Sequence, residues 1–326
     1  MTLVTNDDRP VLVVTNLDDP TADFVIAELH DRGVPVVRFD SGDFPATLSC
    51  SAAIGGTHSW RGSVQTPSRR ADLGAVRSVY YRRPSGFAFP HLDKQDERFA
   101  VAQARYGLGG ILTSLPGCLY VNHPNRIGDA EYKPAGLAAA AAAGFTLPPT
   151  LITNVPDDSR DFVRAHGPVI FKPISVPLYL VDGKAQTVPV TEVTEVTVDE
   201  IDDSVSGTMH LFQKRVDKVA DIRVTVIGEQ IFAVRIDSGL LDWRTDYGTH
   251  TYTPLAAPPA VERSMRAYLK HFGLVFGAFD FALTERGEWI FIECNPSGQW
   301  AWMEPPTGLP MTAALADLLE GGLCGQ

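Results

Sequence analysis

The apolar positions of this chain follow two rhythms. VLVVTN (11–16) is a short, continuous apolar run ending in Asn. DPTADFVIAELHDRG then carries apolar residues at helical spacing, with Gly33 as the expected C-cap. VPVVRFD (34–40) is a second apolar run. A β-α-β opening of this kind predicts a small parallel α/β unit. No GxGxxG follows the first run, which argues against a dinucleotide fold of the usual kind. VRSVYYRRP (76–84) predicts another strand; Arg82 and Arg83 alternate on it, so only one faces inward. Pro, Gly and charge dominate 84–98, a loop leading into a helix near 96–114. A second unit begins near 122. Its helix runs from Pro134, tolerated in a first turn, to Gly144 at the C-cap. VIFKPI (169–174) is a strand carrying a Lys, and 177–193 predict a hairpin around Asp182-Gly183. LFQKRV, ADIRVTVIGEQIFAVRID and the segment 272–295 make a third, β-rich unit. The fold class expected is therefore α/β (α+β).

Composition narrows the function classes. With 326 residues, the chain has room for two or three packed units with real cores, and 44% hydrophobic content fits a globular protein. No apolar run reaches the roughly 20 residues that span a bilayer. MTLVTNDDRP lacks a basic region followed by an apolar one, so no secretory signal is expected. The four Cys are scattered without a CxxC pair, which fits a reducing cytoplasm and argues against a Cys-rich zinc site. The eight His show no HExxH spacing. A net charge of −11 repels nucleic acid and anionic membrane overall, yet leaves room for local basic pockets. Neither nucleic acid nor membrane is expected as a partner.

The candidate chemistry starts at FIECNPSGQW (291–300). A carboxylate at the end of an apolar strand needs a cation or a donor. If GAFDFALTERGEWIFIECN is a hairpin turning at Arg286-Gly287, Asp280 lies directly opposite Glu293, and Asn295 shares its face. Two carboxylates and an amide oxygen suit Mg²⁺ with phosphates completing its shell; the plainer reading is a strand pair with polar ends. Cys294 points to the other face, into the core. In KVADIRVTVIGEQIFAV a turn at Gly228-Glu229 puts Ile222, Val224 and Val226 in the core, with Asp221, Arg223 and Thr225 on the opposite face. Arg223 there either clamps a carboxylate or phosphate bidentately or pairs with Asp221. Lys172 ends an apolar strand and so reaches a cleft; Lys133 precedes a helix; Arg244, in LDWRTD, either approaches the same cleft or makes a loop ion pair. At least one of Trp300 and Trp302 reads as a plain core aromatic.

Together and in this order, these pieces resemble the ATP-grasp superfamily from roughly 122 to 320. NRIGDAEYKPAGLAAAAAAGFTLPPT is similar to its first lysine segment, VIFKPI to its second and LFQKRV to the strand at the adenine hinge. KVADIRV resembles the Lys-x-x-Asp-Ile-Arg element of the RimK-like branch, and FDFALTERGEWIFIECNP its metal-binding strands. Over nearly the whole chain, VVTNLDDPTADFVIAELHDRGVPVVRFDSGDFP, YYRRP, LPPTLITN, NPSGQWAWMEPPTGLP and AALADLL resemble the ATP-grasp maturases of ribosomal peptides, the macrocyclases of microviridin-type graspetides.

The resemblance implies an ATP-grasp fold divided into a pre-ATP-grasp domain (1–121), a central subdomain (122–206) and a C-terminal subdomain with the metal site (207–326). It implies ATP and Mg²⁺ as cofactors. Lys133 and Lys172 would hold phosphates, Arg244 would neutralise them, and Gln213, Lys214, Arg215 and Val216 would line the adenine. Asp280, Glu293 and Asn295 would carry Mg²⁺. Arg223 would orient the acceptor carboxylate or stabilise the tetrahedral intermediate, and Asp221 would serve as base or ribose ligand. The partner implied is a ribosomal precursor peptide, leader plus core, with a homodimer as the working form. The hairpin 177–193, with its neighbouring surface and the β-branched strand VPVTEVTEVTV, is either the edge that binds the leader or an ordinary solvent hairpin or lid. The family's usual glycine-rich loop is absent from KPISVPLYLVDG. The expected reaction activates an Asp or Glu side chain as an acyl phosphate for attack by a Ser/Thr hydroxyl or a Lys amine of the same peptide. Intermolecular RimK-like ligation and a non-catalytic nucleotide-binding scaffold are the alternatives.

Overall fold

The computed structural model describes residues 8–175, 178–181, 184–187, 191–193, 201, 203–239 and 250–325. The amino-terminal unit opens with β1 (Val11–Val14), α1 (Pro20–Asp31) and β2 (Val36–Phe39). Three short strands follow: β3 (Ser49–Ala53), β4 (Arg61–Gln65) and β5 (Arg70–Asp72). β6 (Ser78–Tyr81), α2 (Lys94–Ala104), a single π-helical turn at Arg105–Gly109, α3 (Gly110–Leu112) and β7 (Leu119–Val121) complete the unit. Its main sheet has the order β2-β1-β6-β7 and is parallel throughout, as the β-α-β opening predicts. β3-β4-β5 form a separate antiparallel sheet that the apolar pattern left unread. α1 starts where its sequence says it should. Asp19 caps it, accepting from the Ala22 N–H, and Pro20 occupies the first turn. Its apolar stripe buries Ala22, Val25 and Leu29.

The middle of the chain contains α4 (Pro124–Glu131), α5 (Lys133–Ala142), β8 (Thr150–Thr153), α6 (Pro156–His166) and β9 (Val169–Lys172). β10 (Leu178–Val181) and β11 (Lys184–Thr187) form a small hairpin, and β12 (Thr191–Val193) and β13 (His210–Lys214) follow. The predicted hairpin over 177–193 is thus shorter. β12 leaves it to pair with β9, giving a four-stranded sheet β12-β9-β13-β8. Asp182 and Gly183, at its expected turn, lie outside the described residues, as does most of VPVTEVTEVTV.

The carboxyl-terminal part contains β14 (Ala220–Ile227), β15 (Gln230–Asp237), β16 (Thr251–Leu255), α7 (Pro259–Phe272), β17 (Phe276–Leu283), β18 (Trp289–Asn295), α8 (Glu304–Thr307) and α9 (Met311–Gly321). The five strands form one antiparallel sheet, β16-β15-β14-β17-β18. β14 and β15 turn at Gly228-Glu229, as predicted; Ile227 faces Gln230, and Gly228 has φ +55°, open to glycine without strain.

One face of this sheet is aromatic. Phe279, Phe281 and Phe291 pack with Phe145 and Tyr268 around Ile222 and Val224. The other face is divided. Phe276 and Ala278 enter a core shared with α1, α9, Tyr80 and Trp300. One step along β17 that face becomes polar, at Asp280. The amino-terminal unit therefore packs directly beside the polar site. No helix among the described residues is long and apolar enough to cross a membrane.

Candidate active site

Register brings the charged residues together. Asp280 lies directly opposite Glu293, and Ala278 opposite Asn295, so both carboxylates and the amide share a face as the sequence predicts. The expected turn is corrected. Leu283 faces Trp289, and the Thr284 N–H donates to the Glu288 carbonyl, so the loop holds three residues and not two. Gly287 sits there at φ +79°. The added loop residue shifts the pairing by one, and Ile292, an extra residue in β18, shifts it back before the site. The two irregularities cancel at Asp280.

Arg223 lies opposite Asp280 on the neighbouring strand. Its Nη1 donates to Asp280 Oδ2 at 2.9 Å, with both side chains only about one-twentieth exposed (5% and 6%). Its Nη2 donates to the Gln299 carbonyl at 2.9 Å. Of the two readings open for Arg223, the pair with Asp221 is the one that fails. Asp221 is held by Lys218, whose Nζ lies 2.8 and 2.6 Å from its two oxygens. Asp280 Oδ1 is buried and accepts no hydrogen bond from the described residues.

The other candidates line up from Glu293. Asn295 Nδ2 donates to Glu293 Oε1 at 3.3 Å. Lys133 Nζ lies 3.7 Å from Glu293 Oε2 and donates to the Pro173 carbonyl at 3.0 Å. Pro173 directly follows Lys172, whose Nζ donates to Gln213 Oε1 at 2.8 Å. The buried Gln213 amide passes on to Thr150 Oγ1 at 2.9 Å. Lys133, Lys172, Gln213, Glu293, Asn295, Asp280 and Arg223 thus form one band running from the middle sheet to the C-terminal sheet. Arg215 is turned away from it, paired with Glu192 and Asp217. Lys214 and Arg215 spend their backbone N–H groups on the Pro149 and Pro168 carbonyls. Val216 is half-buried beyond the end of β13. Arg244 lies outside the described residues.

The donor set fits a hard divalent cation. Asp280 presents a buried oxygen that accepts no hydrogen bond from the described residues; Glu293 is half-buried beside it; and Asn295 brings an amide oxygen to the same face. Among the described residues no three His, Cys, Asp or Glu side chains gather as a metal cluster. Two carboxylates leave coordination positions for phosphate oxygens, the arrangement expected where an ion is shared with a nucleotide. Cys294 faces the aromatic core as predicted, and burial pushes its thiol well above the ordinary range against the pull of Arg223.

Several residues of the site escaped the sequence. Gly298 packs so closely that a Cβ there would stand 2.6 Å from Ala278 Cβ and 2.7 Å from Arg223 Nη2. Gln299 acts through its carbonyl, which carries no residue-type signal. Lys218 had a signal, since Lys-x-x-Asp places the two charges within reach. Of Arg82 and Arg83, Arg82 is the buried one. It donates to both oxygens of Asp19, at 2.8 and 3.3 Å, and to the Tyr80 hydroxyl at 3.1 Å. Trp300 is fully buried, and Trp302 packs at the edge of the same core.

Comparison with known proteins agrees with this architecture. Residues 10–128 match the family model of the MvdD pre-ATP grasp domain. A Chryseobacterium gregarium RiPP-associated ATP-grasp ligase, solved with ADP and a leader and core peptide, superposes with a TM-score of 0.86 at 26% identity, covering 95% of this chain and 96% of that one. The macrocyclase MdnC of Microcystis aeruginosa MRC, solved with the precursor peptide MdnA, gives 0.83 at 28% identity over 95% and 99% of the two chains. A probable alpha-L-glutamate ligase of Citrobacter koseri is 26% identical over 76% of this chain and 81% of its own length.

Proposed function

We propose that this chain, an ATP-grasp ligase related to the maturases of ribosomally made peptides, is a peptide macrocyclase. It would couple Asp or Glu side chains of a precursor peptide to Ser/Thr hydroxyls or Lys amines of the same peptide, forming ω-ester or ω-amide rings. The observation that carries this reading is the buried Arg223–Asp280 pair set directly beside Glu293, Asn295 and Lys133. Acidic oxygens for a cation and a guanidinium for a carboxylate meet there on one face. Similarity to solved ligases that hold ADP and precursor peptides supports it.

The residues divide the work. Asp280, Glu293 and Asn295 would hold Mg²⁺. When bound there, ATP with Mg²⁺ would supply the γ-phosphoryl for activating a peptide carboxylate and a cation to spread the developing charge. Lys133 and Lys172 add fixed positive charge on the side of the middle sheet. The guanidinium of Arg223, aimed by Gln299 and Asp280, presents its remaining donor edge to the acceptor carboxylate. Asp221, held at both oxygens by the Lys218 ammonium, would serve as base or as ribose ligand. Donor and acceptor on one peptide make ring closure effectively unimolecular. The division 1–121, 122–206 and 207–326 assigns the pre-ATP-grasp domain and the two halves that enclose the nucleotide. The working form we take to be a cytoplasmic homodimer, with β10–β11 among the surfaces offered to the leader.

The test is mass spectrometry of a Thr- and Asp/Glu-rich precursor peptide incubated with the protein, ATP and Mg²⁺. Ring closure removes one water per ring without changing the peptide's residue count. The similarity to the Citrobacter koseri ligase favours one second reading, intermolecular ligation, which adds residue masses instead. Absence of peptide-stimulated ADP release would leave only a nucleotide-binding scaffold and reject both.

A further inference from the structure

One side-chain amide at the end of the amino-terminal unit grips the site. Asn122 follows β7 and is only 2% exposed. Its Nδ2 donates to the carbonyls of Phe276 and Pro296, each at 2.8 Å. Its Oδ1 accepts from the N–H groups of Val275 at 2.9 Å and Phe276 at 3.1 Å. Both donors and both lone pairs of the amide are engaged. Asn122 therefore ties the start of β17, which carries Asp280, to the residue immediately after Asn295. Four positions further along the loop, Trp300 is fully buried in the core shared with Tyr80. In that core the Tyr80 hydroxyl accepts from Arg82, which is itself paired with Asp19. Between these two grips lie Gly298 and the Gln299 carbonyl that aims Arg223.

We propose that Asn122 is a positioning residue for this site: it sets the spacing between the Asp280 strand and the Asn295–Gln299 loop, and through them the cation ligands and Arg223. It touches none of the reacting groups itself. The proposal rests on the functional reading above. Its physical basis is that groups behind metal ligands, by fixing orientation, change affinity tenfold or more when lost. Without the amide, the Pro296 carbonyl loses its donor from Asn122, and the Asn295 end of β18 loses its tie to the start of β17.

The probe is Mn²⁺, titrated in the presence of ADP and followed by the electron paramagnetic resonance signal of the free ion, with no turnover required. Asn122→Ala is expected to raise the apparent Mn²⁺ Kd about tenfold. Asn122→Asp keeps the accepting oxygen but loses both donated bonds, and it should weaken Mn²⁺ in the same direction. Leu73→Ala, in a separate core cluster of the amino-terminal unit, is expected to lower the melting temperature and leave the Mn²⁺ Kd unchanged. An unchanged Mn²⁺ Kd in both Asn122 variants overturns the proposal, as does failure of both to fold, which would make Asn122 a residue of fold maintenance alone. Mn²⁺ weakening equally in Leu73→Ala also overturns it. If the wild-type protein takes up no Mn²⁺ with ADP, the functional reading itself fails, an outcome distinct from wild-type binding with unaltered variants.

Discussion

Gly298→Ala is the sharpest single perturbation of the site. The added methyl would stand 2.6 Å from Ala278 Cβ, 2.7 Å from Arg223 Nη2 and 3.1 Å from Asn295 Cβ. Carbon atoms in contact prefer about 3.5–4.0 Å, so the closest approach falls about 1 Å short. Ala278 is fixed to the backbone of β17 and cannot swing away. The loop or the guanidinium must therefore yield. Overpacking of this kind costs about 1–3 kcal/mol. Displacing Nη2 also strains its 2.9 Å bond to the Gln299 carbonyl and, through the same rigid plane, the 2.9 Å bond to Asp280. A misplacement of about 1 Å in a group that orients substrate costs on the order of a hundredfold in rate. The expected result is thus a modest loss of thermal stability with a fall in peptide-stimulated ADP release of up to about a hundredfold, beyond what unfolding at the assay temperature explains. The two are measured on the same preparation, by differential scanning fluorimetry and by coupled ADP detection. An alanine variant that melts and turns over like the wild type would refute the claim that this glycine sets the Arg223 clamp.

The remaining predictions concern charge and burial. Asp280→Asn keeps the shape but leaves the Arg223 guanidinium buried without its counter-ion; breaking such pairs costs about 3–5 kcal/mol, and urea unfolding together with abolished ADP release checks it. Burial alone would raise the Asp19 carboxyl, but the hydrogen bond and charge of Arg82, helped by Thr15 and the Ala22 N–H, bring it below the ordinary value. Its contribution to stability is therefore present above the unfolded carboxyl pKa of about 3.9 and is lost as pH falls through the lower native value. Melting curves between about pH 5 and pH 2.5 should accordingly fall more steeply for the wild type than for Asp19→Asn. Cys294, buried with its thiol pushed up, should resist iodoacetamide at pH 8 in the native protein and react after denaturation, as peptide mapping would show.

The sequence made some contacts legible because they lie within one hairpin. Asp280 and Glu293 come from strands joined by a short loop, so alternation and a turn suffice to pair them. The pairing held even though the loop is a residue longer than expected, because Ile292 bulges and restores the count. The parallel opening sheet was legible for the same local reason. Contacts between elements far apart in sequence were not. Asn122 reaches residues more than 150 positions away, and the Lys172–Gln213 bond depends on β13 lying between β8 and β9.

Arg223 shows what is missing in such a case and what physics still supplies. Its local candidate was Asp221, two residues back on the same face, yet its partner comes from β17, a strand with β15, β16 and α7 intervening. The sequence contains no marker of the β14–β17 register. It does contain a parity constraint: Ile222 and Val224 share a core face with Phe279 and Phe281, so Arg223 must point to the face of β17 that carries Ala278, Asp280 and Ala282. Of these three only Asp280 has a charge. A slip of two residues either way would put a buried guanidinium against an alanine methyl, a loss of several kcal/mol for an unpaired buried ion. Aliphatic packing tolerates such slips far better than the ion pair does. The pair that equips the site for carboxylate chemistry is therefore also what distinguishes the native register of the central strands from its nearest competitors.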